Sequence, residues 1–391
     1  MRTAAALAAW RNLAVDGTLR GLDNRAAALP QTARIERLQA GMDIAEDQRG
    51  KSMQASQQRK LGRTDLKVSA FALGTAPIGN LFRAITDAES DAMFRTAWDA
   101  GVRYFDTAPM YGHGLAELRT GHGLRWQPRD DYVLSSKVGR RLTPGRRADI
   151  DFAPWVDAAP FTMAFDYSYD GTMRALEDSL QRLGNERIDI CFIHDIDVYT
   201  RGAEQPEVFR AAMDGCWKAL EKLRSEGVVK AIGVGVNEWE VCLHALQQRD
   251  FDCFLLAGRY TLLEQHALDQ FLPLCEQRNV AVLVGGGFNS GILATGAQPG
   301  AKYNYAPAPA HIMQRVAAIE QVCADHAVPL PAAALQFVMA HPAVASFIAG
   351  THSVQQLQQN LAWFNHPIAP EFWRALQRRG LLREDAPVPL Q

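Results

Sequence analysis

Three ionisable side chains stand where charge is costly to bury. Asp106, Lys137 and His194 each close a run of mostly apolar residues. An isolated buried aspartate or lysine would be strongly destabilised. These groups therefore either pair with one another or serve chemistry. A purely structural Lys–Asp ion pair would also account for the first two.

A tyrosine makes chemistry the stronger interpretation. Tyr111 follows Asp106 closely in the segment FDTAPMYG. A lysine ammonium beside a phenol lowers the phenol pKa, because the cation favours the phenolate. Reaching neutrality from about 10 requires about three pKa units. Lys137, held by Asp106, is expected to supply that field, and His194 to orient a substrate oxygen or share its proton. The four residues predict a proton donor and acceptor for interconverting a carbonyl and an alcohol.

The elements that must position these residues alternate between short apolar runs and helical periodicities. The runs that predict strands cover residues 69–73, 103–106, 132–137, 188–194, 229–234, 253–257, 280–284 and 344–348. The segments that predict helices cover 89–100, 171–183, 216–225, 239–247, 267–278, 311–326 and about 354–364. Eight such alternations predict an α/β protein with a (β/α)8 TIM barrel. A doubly wound open sheet is the alternative, and it is disfavoured because no strand–GxGxxG–helix unit opens the chain.

Two further features concern the ends of this barrel. Residues 59–67 resemble a β-hairpin that could plug its bottom. Long connections follow the third, fourth and seventh strands, on the face where barrel enzymes keep their active sites. Side chains on these loops or beside Tyr111 are the substrate candidates, although each could instead pack a lid: Met110, His113, Trp155, Tyr199 and Phe288.

Three motifs fall in order on successive strand ends. FDTAPMYG, SSKVG and IHD resemble the aldo-keto reductase superfamily. The resemblance runs from Lys60 to about Phe364 and implies that Asp106, Tyr111, Lys137 and His194 form a catalytic tetrad. MAFDYSYDGTMRALEDSLQRLG, LLAGRYTLLEQ and GGGFNSGIL resemble the D-threo-aldose 1-dehydrogenase branch, which includes L-fucose dehydrogenases. That branch implies oxidation of a sugar at C1 to the lactone. Pyridoxal 4-dehydrogenases look very similar.

A dinucleotide is expected across the loops after the seventh and eighth strands. A glycine-rich turn there can point backbone N–H groups at an anion, and a helix N-terminus favours phosphate. The expected cofactor residues are Gly74, Thr75, Asn237, Gly287, Phe288, Asn289, Ser290, Gly291, Gly350, Thr351, His352, Gln356 and Asn360. Residues 350–360 contain no Lys or Arg to bind a 2′-phosphate, which favours NAD over NADP.

The nicotinamide contacts depart from the family pattern. The serine and asparagine that bind the amide correspond to Gly235 and Val236, the assisting glutamine to Ala257, and the stacking tyrosine falls near Gly285. Asn237 and Arg259 are the expected replacements, and Arg259 is also a candidate to contact substrate.

Composition excludes several other classes. The net charge of −2, without a basic stripe, gives no reason to bind nucleic acid or an anionic membrane, and no apolar run reaches the length of a membrane span. Six scattered cysteines without a CxxC pair indicate a reduced, cytoplasmic protein, and no HxH-type ligand set predicts a metal.

The expected organisation is an N-terminal extension over residues 1–58, helical or poorly ordered and possibly preceding a functional start at Met53, and a barrel over 59–391. The expected activity is NAD(P)-dependent oxidation of an aldose at C1, with a sugar or aldehyde as the small-molecule partner. A pyridoxal dehydrogenase, a general aldehyde reductase and a non-catalytic nucleotide-sensing subunit are the alternatives. Oligomeric state does not follow from the residues.

Overall fold

A computed structural model describes residues 53–389 of the chain. In chain order, strands β1 to β14 are Gln58–Lys60, Lys67–Ser69, Phe71–Gly74, Tyr104–Asp106, Val133–Val138, Arg140–Pro144, Phe161–Phe165, Ile190–His194, Ala231–Val236, Cys253–Ala257, Ala281–Gly285, Lys302–Tyr303, Ala306–Pro307 and Val344–Gly350. Helices α1 to α13 are Asp87–Asp99, Leu115–Leu124, Tyr169–Leu183, Val198–Arg201, Gln205–Asp214, Cys216–Ser225, Trp239–Gln248, Phe271–Gln277, Ile292–Thr295, Ala310–Asp325, Leu330–Met339, Val354–Phe364 and Pro370–Arg378.

Eight of these strands close into a barrel in the order β3, β4, β5, β8, β9, β10, β11 and β14, and every pairing around it is parallel. Each of the eight predicted strands overlaps one of them. The (β/α)8 prediction is therefore confirmed, and the open-sheet alternative is wrong. These strands can be recognised from the sequence because parallel barrel strands are buried on both faces and are therefore mostly apolar.

The predicted hairpin is present, formed by antiparallel β1 and β2. Its side chains Leu61, Leu66 and Val68 join one buried cluster with residues from the barrel interior, among them Ile190 and Ala231 at the starts of β8 and β9. The hairpin therefore closes the N-terminal end of the barrel and leaves the C-terminal end as the mouth.

The outer helices begin where the sequence supplies caps. Thr86 and Glu89 form a reciprocal capping box at α1, Ser168 accepts from the Gly171 N–H at α3, and Ser353 accepts from the Gln356 N–H at α12. Such caps satisfy backbone groups that a helix start leaves unpaired. The helices thus start close to the strand ends that carry the mouth.

The long connections after three strands carry secondary structure of their own. The first contains the antiparallel pair β6–β7, the second contains α4 and α5, and the third contains α9 and the small pair β12–β13. All lie on the mouth side, as predicted.

The predicted extension, residues 1–58, lies outside the described residues except for 53–58. Within the described part, no single helix is long and apolar enough to cross a bilayer; only α10 and α11 together, bent by 99° at the break between them, meet the length and composition criteria.

Candidate active site

Neighbouring strands present three of the four predicted catalytic side chains at the mouth. Asp106 and His194 are the last residues of β4 and β8, and Lys137 is the penultimate residue of β5. All three are buried. Tyr111 follows β4 in a tight turn, where its N–H donates to the Ala108 carbonyl at 3.1 Å. The structure therefore brings the four residues to one place.

A glycine allows this turn to approach the neighbouring loop. Gly112 has a φ of +63°, and a Cβ on it would lie 2.3 Å from the Gly79 carbonyl oxygen. Any other residue would strain the backbone and collide with that loop. Gly112 therefore helps to set the position of Tyr111.

Lys137 is held by a full set of acceptors. Its Nζ donates to both carboxylate oxygens of Asp106 at 2.9 and 2.8 Å and to the Thr107 carbonyl at 2.8 Å. Ser135 Oγ donates to the same carboxylate at 2.7 Å. Burial disfavours the ammonium, but Asp106 and Tyr111 together outweigh it, and the Lys137 pKa is raised. Lys137 is therefore a fixed positive charge.

This charge lies close to Tyr111. The Lys137 Nζ is 4.8 Å from the centroid of the phenol ring. The surrounding protein displaces water and raises the Tyr111 pKa to about 12, although Lys137 acts in the opposite direction. The expected net lowering is therefore not present in the protein alone, because desolvation exceeds the lysine field. Tyr111 is a protonated phenol at neutral pH.

His194 also lies beside Tyr111. Its ring meets the Tyr111 ring edge-on, with centroids 6.2 Å apart. Burial, and then the charges of Arg140 and Lys137, hold the His194 pKa well below its usual range. The imidazole is therefore neutral and can exchange hydrogen bonds with a substrate oxygen without carrying charge.

The strand ends in the opposite half of the mouth are rich in glycine. The ends of the adjacent strands β9, β10, β11 and β14 carry Gly235, Gly258, Gly285–Gly287 and Gly350. Gly286 and Gly350 are exposed. A Cβ on Gly235 would lie 3.7 Å from Cε of Lys137, so its absence leaves space beside the lysine.

This glycine half fits a dinucleotide. Backbone can approach a flat, extended ligand closely only where side chains are absent. Thr75 and Thr107, beside it at the ends of β3 and β4, each have a buried hydroxyl without a hydrogen-bond partner among the described residues. The cradle and these unused hydroxyls match a cofactor that lies between the tetrad and the end of β14.

Several predicted cofactor residues make internal contacts. Asn289 donates to the Gly258 carbonyl and accepts from Thr261, so its amide joins the loops after β10 and β11. Its neighbour Phe288 packs on Phe347, with centroids 6.0 Å apart. Ser290 accepts from the Tyr305 N–H at 2.9 Å and has a φ of +61°, while Gly291 has +102°.

The residues predicted near α12 also make contacts within the protein. His352 lies 2.9 Å from the Leu81 carbonyl through Nε2, and its N–H donates to Gln356 at 2.8 Å. Thr351 is buried, and its hydroxyl contacts the Met93 sulfur; Asn360 is buried in α12.

The predicted cofactor residues at the end of β3 also have partners. Gly74 pairs with Gly350 and Asp106 across the strand ends, and the Thr75 N–H donates to the Asp106 carbonyl. Their direct contact with a cofactor stays a prediction.

The substrate candidates lie in three different places. Trp155 is buried and lies 5.9 Å from the Tyr111 ring, and Met110 is half-buried beside it in the chain. Tyr199 and Arg259 instead line a cavity above the glycine half, together with Asn237, which was predicted to bind the cofactor. His113 points into the loop after β5, where Nδ1 lies 2.7 Å from the Phe161 carbonyl.

Comparison with known proteins identifies the family. The model of the aldo/keto reductase family matches residues 70–379. The chain belongs to the aldo/keto reductase family. It is 44% identical over 342 residues to pyridoxal 4-dehydrogenase of Microbacterium luteolum, covering 84% of this chain and 99% of the relative. It is 38% identical over 326 residues to D-threo-aldose 1-dehydrogenase of a Pseudomonas species, covering 81% and 95%.

Solved structures agree on the fold. Aldo-keto reductase AKR11C1 from Bacillus halodurans superposes with a TM-score of 0.64 at 24% identity, covering 87% of this chain and 99% of that one. This aldo/keto reductase is therefore an oxidoreductase that acts on CH–OH or carbonyl groups, and aldo/keto reductases use NAD(P)H.

Sequence reasoning missed part of this aldo/keto reductase's mouth. Arg140 donates to Asp195 at 2.6 Å beside His194. Asn304 accepts from Arg259 at 2.7 Å, and Tyr305 reaches to 6.5 Å from Tyr199, so the turn between β12 and β13 lies over the glycine half. The two tyrosines of the segment YNY, separated by one residue, were the available sequence signal for the turn. The Arg140–Asp195 pair gives no such signal, because its members are more than fifty residues apart in the chain.

Proposed function

We propose that this aldo/keto reductase oxidises a cyclic hemiacetal to its lactone. The observation that carries the proposal is the buried Lys137–Asp106 pair, whose ammonium lies 4.8 Å from the ring of Tyr111. A fixed cation beside a phenol suits a group that must accept and return a proton. NAD(P), when bound in the glycine half, supplies the hydride acceptor.

Each residue then has one task. Tyr111 takes the proton of the anomeric hydroxyl while the C–H hydrogen departs as hydride, and the carbon–oxygen double bond of the lactone forms. Lys137 favours the phenolate that takes the proton, and Asp106 keeps Lys137 charged and in place. His194, neutral and beside Tyr111, orients the reacting oxygen.

An aldose is the first candidate substrate. The motif resemblance and the 38% identity to a D-threo-aldose 1-dehydrogenase support a sugar oxidised at C1. Pyridoxal is the second candidate, supported by the 44% identity to a pyridoxal 4-dehydrogenase and by the Trp155 ring beside Tyr111. Pyridoxal carries a hydroxymethyl group next to its aldehyde and closes to a cyclic hemiacetal, so one chemistry serves both substrates.

NAD is the proposed cofactor. Residues 350–360 contain no Lys or Arg, so a 2′-phosphate there would lack charge-assisted contacts from that segment. Arg83 is a nearby cation from outside that segment: its exposed guanidinium lies 3.4 Å from the His352 carbonyl. Because Arg83 could contact a 2′-phosphate, the proposed preference for NAD is modest and NADP is not excluded.

The proposed setting is the cytoplasm, supported by six cysteines that are all unpaired and buried. We keep the proposed division into an extension, 1–58, and a catalytic barrel, 59–391.

A substrate panel tests the proposal. Purified protein is mixed with L-fucose, D-arabinose, L-galactose or pyridoxal and with NAD or NADP, and the absorbance of the reduced cofactor is followed. We expect turnover of at least one hemiacetal, a lactone as product, and faster reaction with NAD. A panel without turnover would refute the proposal, and turnover by pyridoxal alone would select the second candidate.

A further inference from the structure

We infer that Asp195 is a substrate-binding residue that accepts a hydrogen bond from a hydroxyl next to the reacting carbon. This inference rests on the proposed function and assigns a substrate class to the same site. The substrate would be a hemiacetal that bears a hydroxyl on the neighbouring atom, as an aldose does at C2.

The first observation is where the carboxylate lies. Asp195 directly follows His194, and its Oδ1 is 3.5 Å from Nε2 of that imidazole. The side chain is 10% exposed, so it reaches the mouth and is not sealed beneath it. Its charge also raises the pKa of Tyr111, after the larger effects of burial, Lys137 and Asp106. The carboxylate therefore belongs to the surroundings of the reacting atoms.

The second observation is that only one carboxylate oxygen is held by a cation. Oδ2 accepts from Nη2 of Arg140 at 2.6 Å, whereas Oδ1 is the oxygen that faces His194. Arg140 is itself fixed, because its guanidinium lies 4.4 Å from the Phe165 ring centroid. The fixed arginine sets the direction of the carboxylate and leaves Oδ1 as an acceptor at the mouth.

The third observation is the backbone. Asp195 has a φ of +52°, which non-glycine residues adopt at a cost. The Asp195 N–H donates to the Gly235 carbonyl at 3.1 Å, and the Tyr167 hydroxyl donates to the Asp195 carbonyl oxygen at 2.8 Å. The surrounding structure thus holds a strained conformation that turns this side chain, and such strain collects at ligand sites.

The ion pair between Arg140 and Asp195 is incompletely satisfied. Nη1 of Arg140 is buried without a hydrogen-bond partner among the described residues, so the pair leaves a polar group unsatisfied. Buried ion pairs contribute little net stability compared with apolar residues of similar volume. A binding role accounts for the pair better than a stabilising one does.

The test compares each hydroxylated substrate with its deoxy analogue. For a sugar turned over by the protein the analogue lacks the C2 hydroxyl, and turnover of pyridoxal alone, which has no hydroxyl on the atom next to its reacting carbon, would overturn the inference. A hydrogen bond to a charged acceptor predicts that the wild-type kcat/KM falls by about 10-fold to 100-fold for the analogue. An equal kcat/KM for both compounds would overturn the inference while leaving the proposed function intact.

The Asp195→Asn variant sharpens the test. Because Arg140 donates to this side chain, the asparagine will turn its oxygen to the arginine and its NH2 to the substrate. The acceptor becomes a donor, and we expect the preference for the hydroxylated compound to fall below about threefold. Retention of the wild-type ratio in this variant would also overturn the inference.

Asp252→Asn is the matched control. Asp252 is equally buried and paired with arginines, Arg63 and Arg224, but it lies at the closed end of the barrel. It should lose stability without changing the preference. The wild-type comparison needs no variant and so decides the question even if Asp195→Asn folds poorly. Absence of turnover of any compound by the wild type would instead refute the proposed function.

Discussion

The two halves of the barrel mouth are built on opposite principles. Asp106 and His194 are the last residues of β4 and β8, Lys137 is the penultimate residue of β5, and all three carry charge or protons. The ends of β9, β10, β11 and β14 carry glycines, which contribute backbone and open space. In the proposed mechanism the first half does chemistry through side chains, and the second makes room for a ligand that brings its own reactivity. Substitutions should therefore act on turnover in one half and on cofactor affinity in the other.

The largest effect is expected from Tyr111→Phe. Removing the proton-transferring hydroxyl should lower kcat by about 10²-fold to 10⁴-fold, the usual contribution of general acid–base catalysis. Affinity for NAD, measured by fluorescence titration, should stay within about twofold, because the change lies in the charged half. Tyr132→Phe, which removes a hydroxyl bonded to Asn185 at 2.7 Å, is the control. Full activity of Tyr111→Phe would refute the mechanism.

Lys137→Met tests the charged half through stability. Without the ammonium, the carboxylate of Asp106 stays buried and unpaired, and the free energy of unfolding should fall by about 3–5 kcal/mol in urea denaturation. Adding Asp106→Asn should recover part of this loss. Lys222→Met breaks a solvent-exposed pair with Glu226 and should cost much less stability, because water screens that pair. Equal losses at the two lysines would mean that the Lys137–Asp106 pair is not specially buried.

Much of the charged half could be predicted from sequence, and less of the other. A lone Asp, Lys or His after an apolar run shows both the strand and its end. Glycine shows only that a side chain is missing, so the sequence did not reveal that the Asn289 amide links two loops of this half. The direction of the Tyr111 pKa was also out of reach, because sequence identifies the charged neighbour but not how much water the fold removes.

The raised pKa of Tyr111, about 12, predicts a pH dependence. Below that pKa the phenol keeps its proton, so the base form needed for oxidation should increase about tenfold per pH unit. The kcat/KM for oxidation should therefore rise from about pH 6 to pH 10, while that for reduction stays flat. His194, with its lowered pKa, should add no inflection near 6.5. An inflection there that disappears in His194→Gln would contradict this assignment.

Gly286→Ala tests the glycine half. Gly286 is exposed, with a φ of +60°, and a Cβ on it would lie 3.1 Å from the Gly258 backbone nitrogen, so the new methyl group would push apart two loops that border the expected dinucleotide. We expect about a tenfold weaker binding of NAD and a kcat within about twofold. Gly227→Ala is the matched control, because Gly227 is exposed with a φ of +74° and a Cβ on it would have nothing within 4 Å. Both variants should lose about 1 kcal/mol of stability, and equal NAD affinity in the two would show that this glycine does not border the cofactor.

The smallest effect concerns the choice of cofactor at the far end of the glycine half. Gln356 lies in the first turn of α12, and its side-chain oxygen accepts from the His352 N–H. An arginine there could pair with a 2′-phosphate, so Gln356→Arg should raise kcat/KM for NADP by about three-fold to tenfold and leave NAD nearly unchanged. Gln358→Arg places the same charge on another side of the helix and should give a smaller gain. A wild-type preference for NADP would instead show that Arg83 already supplies the cation, and the glycine half would then select its ligand through a loop after β3.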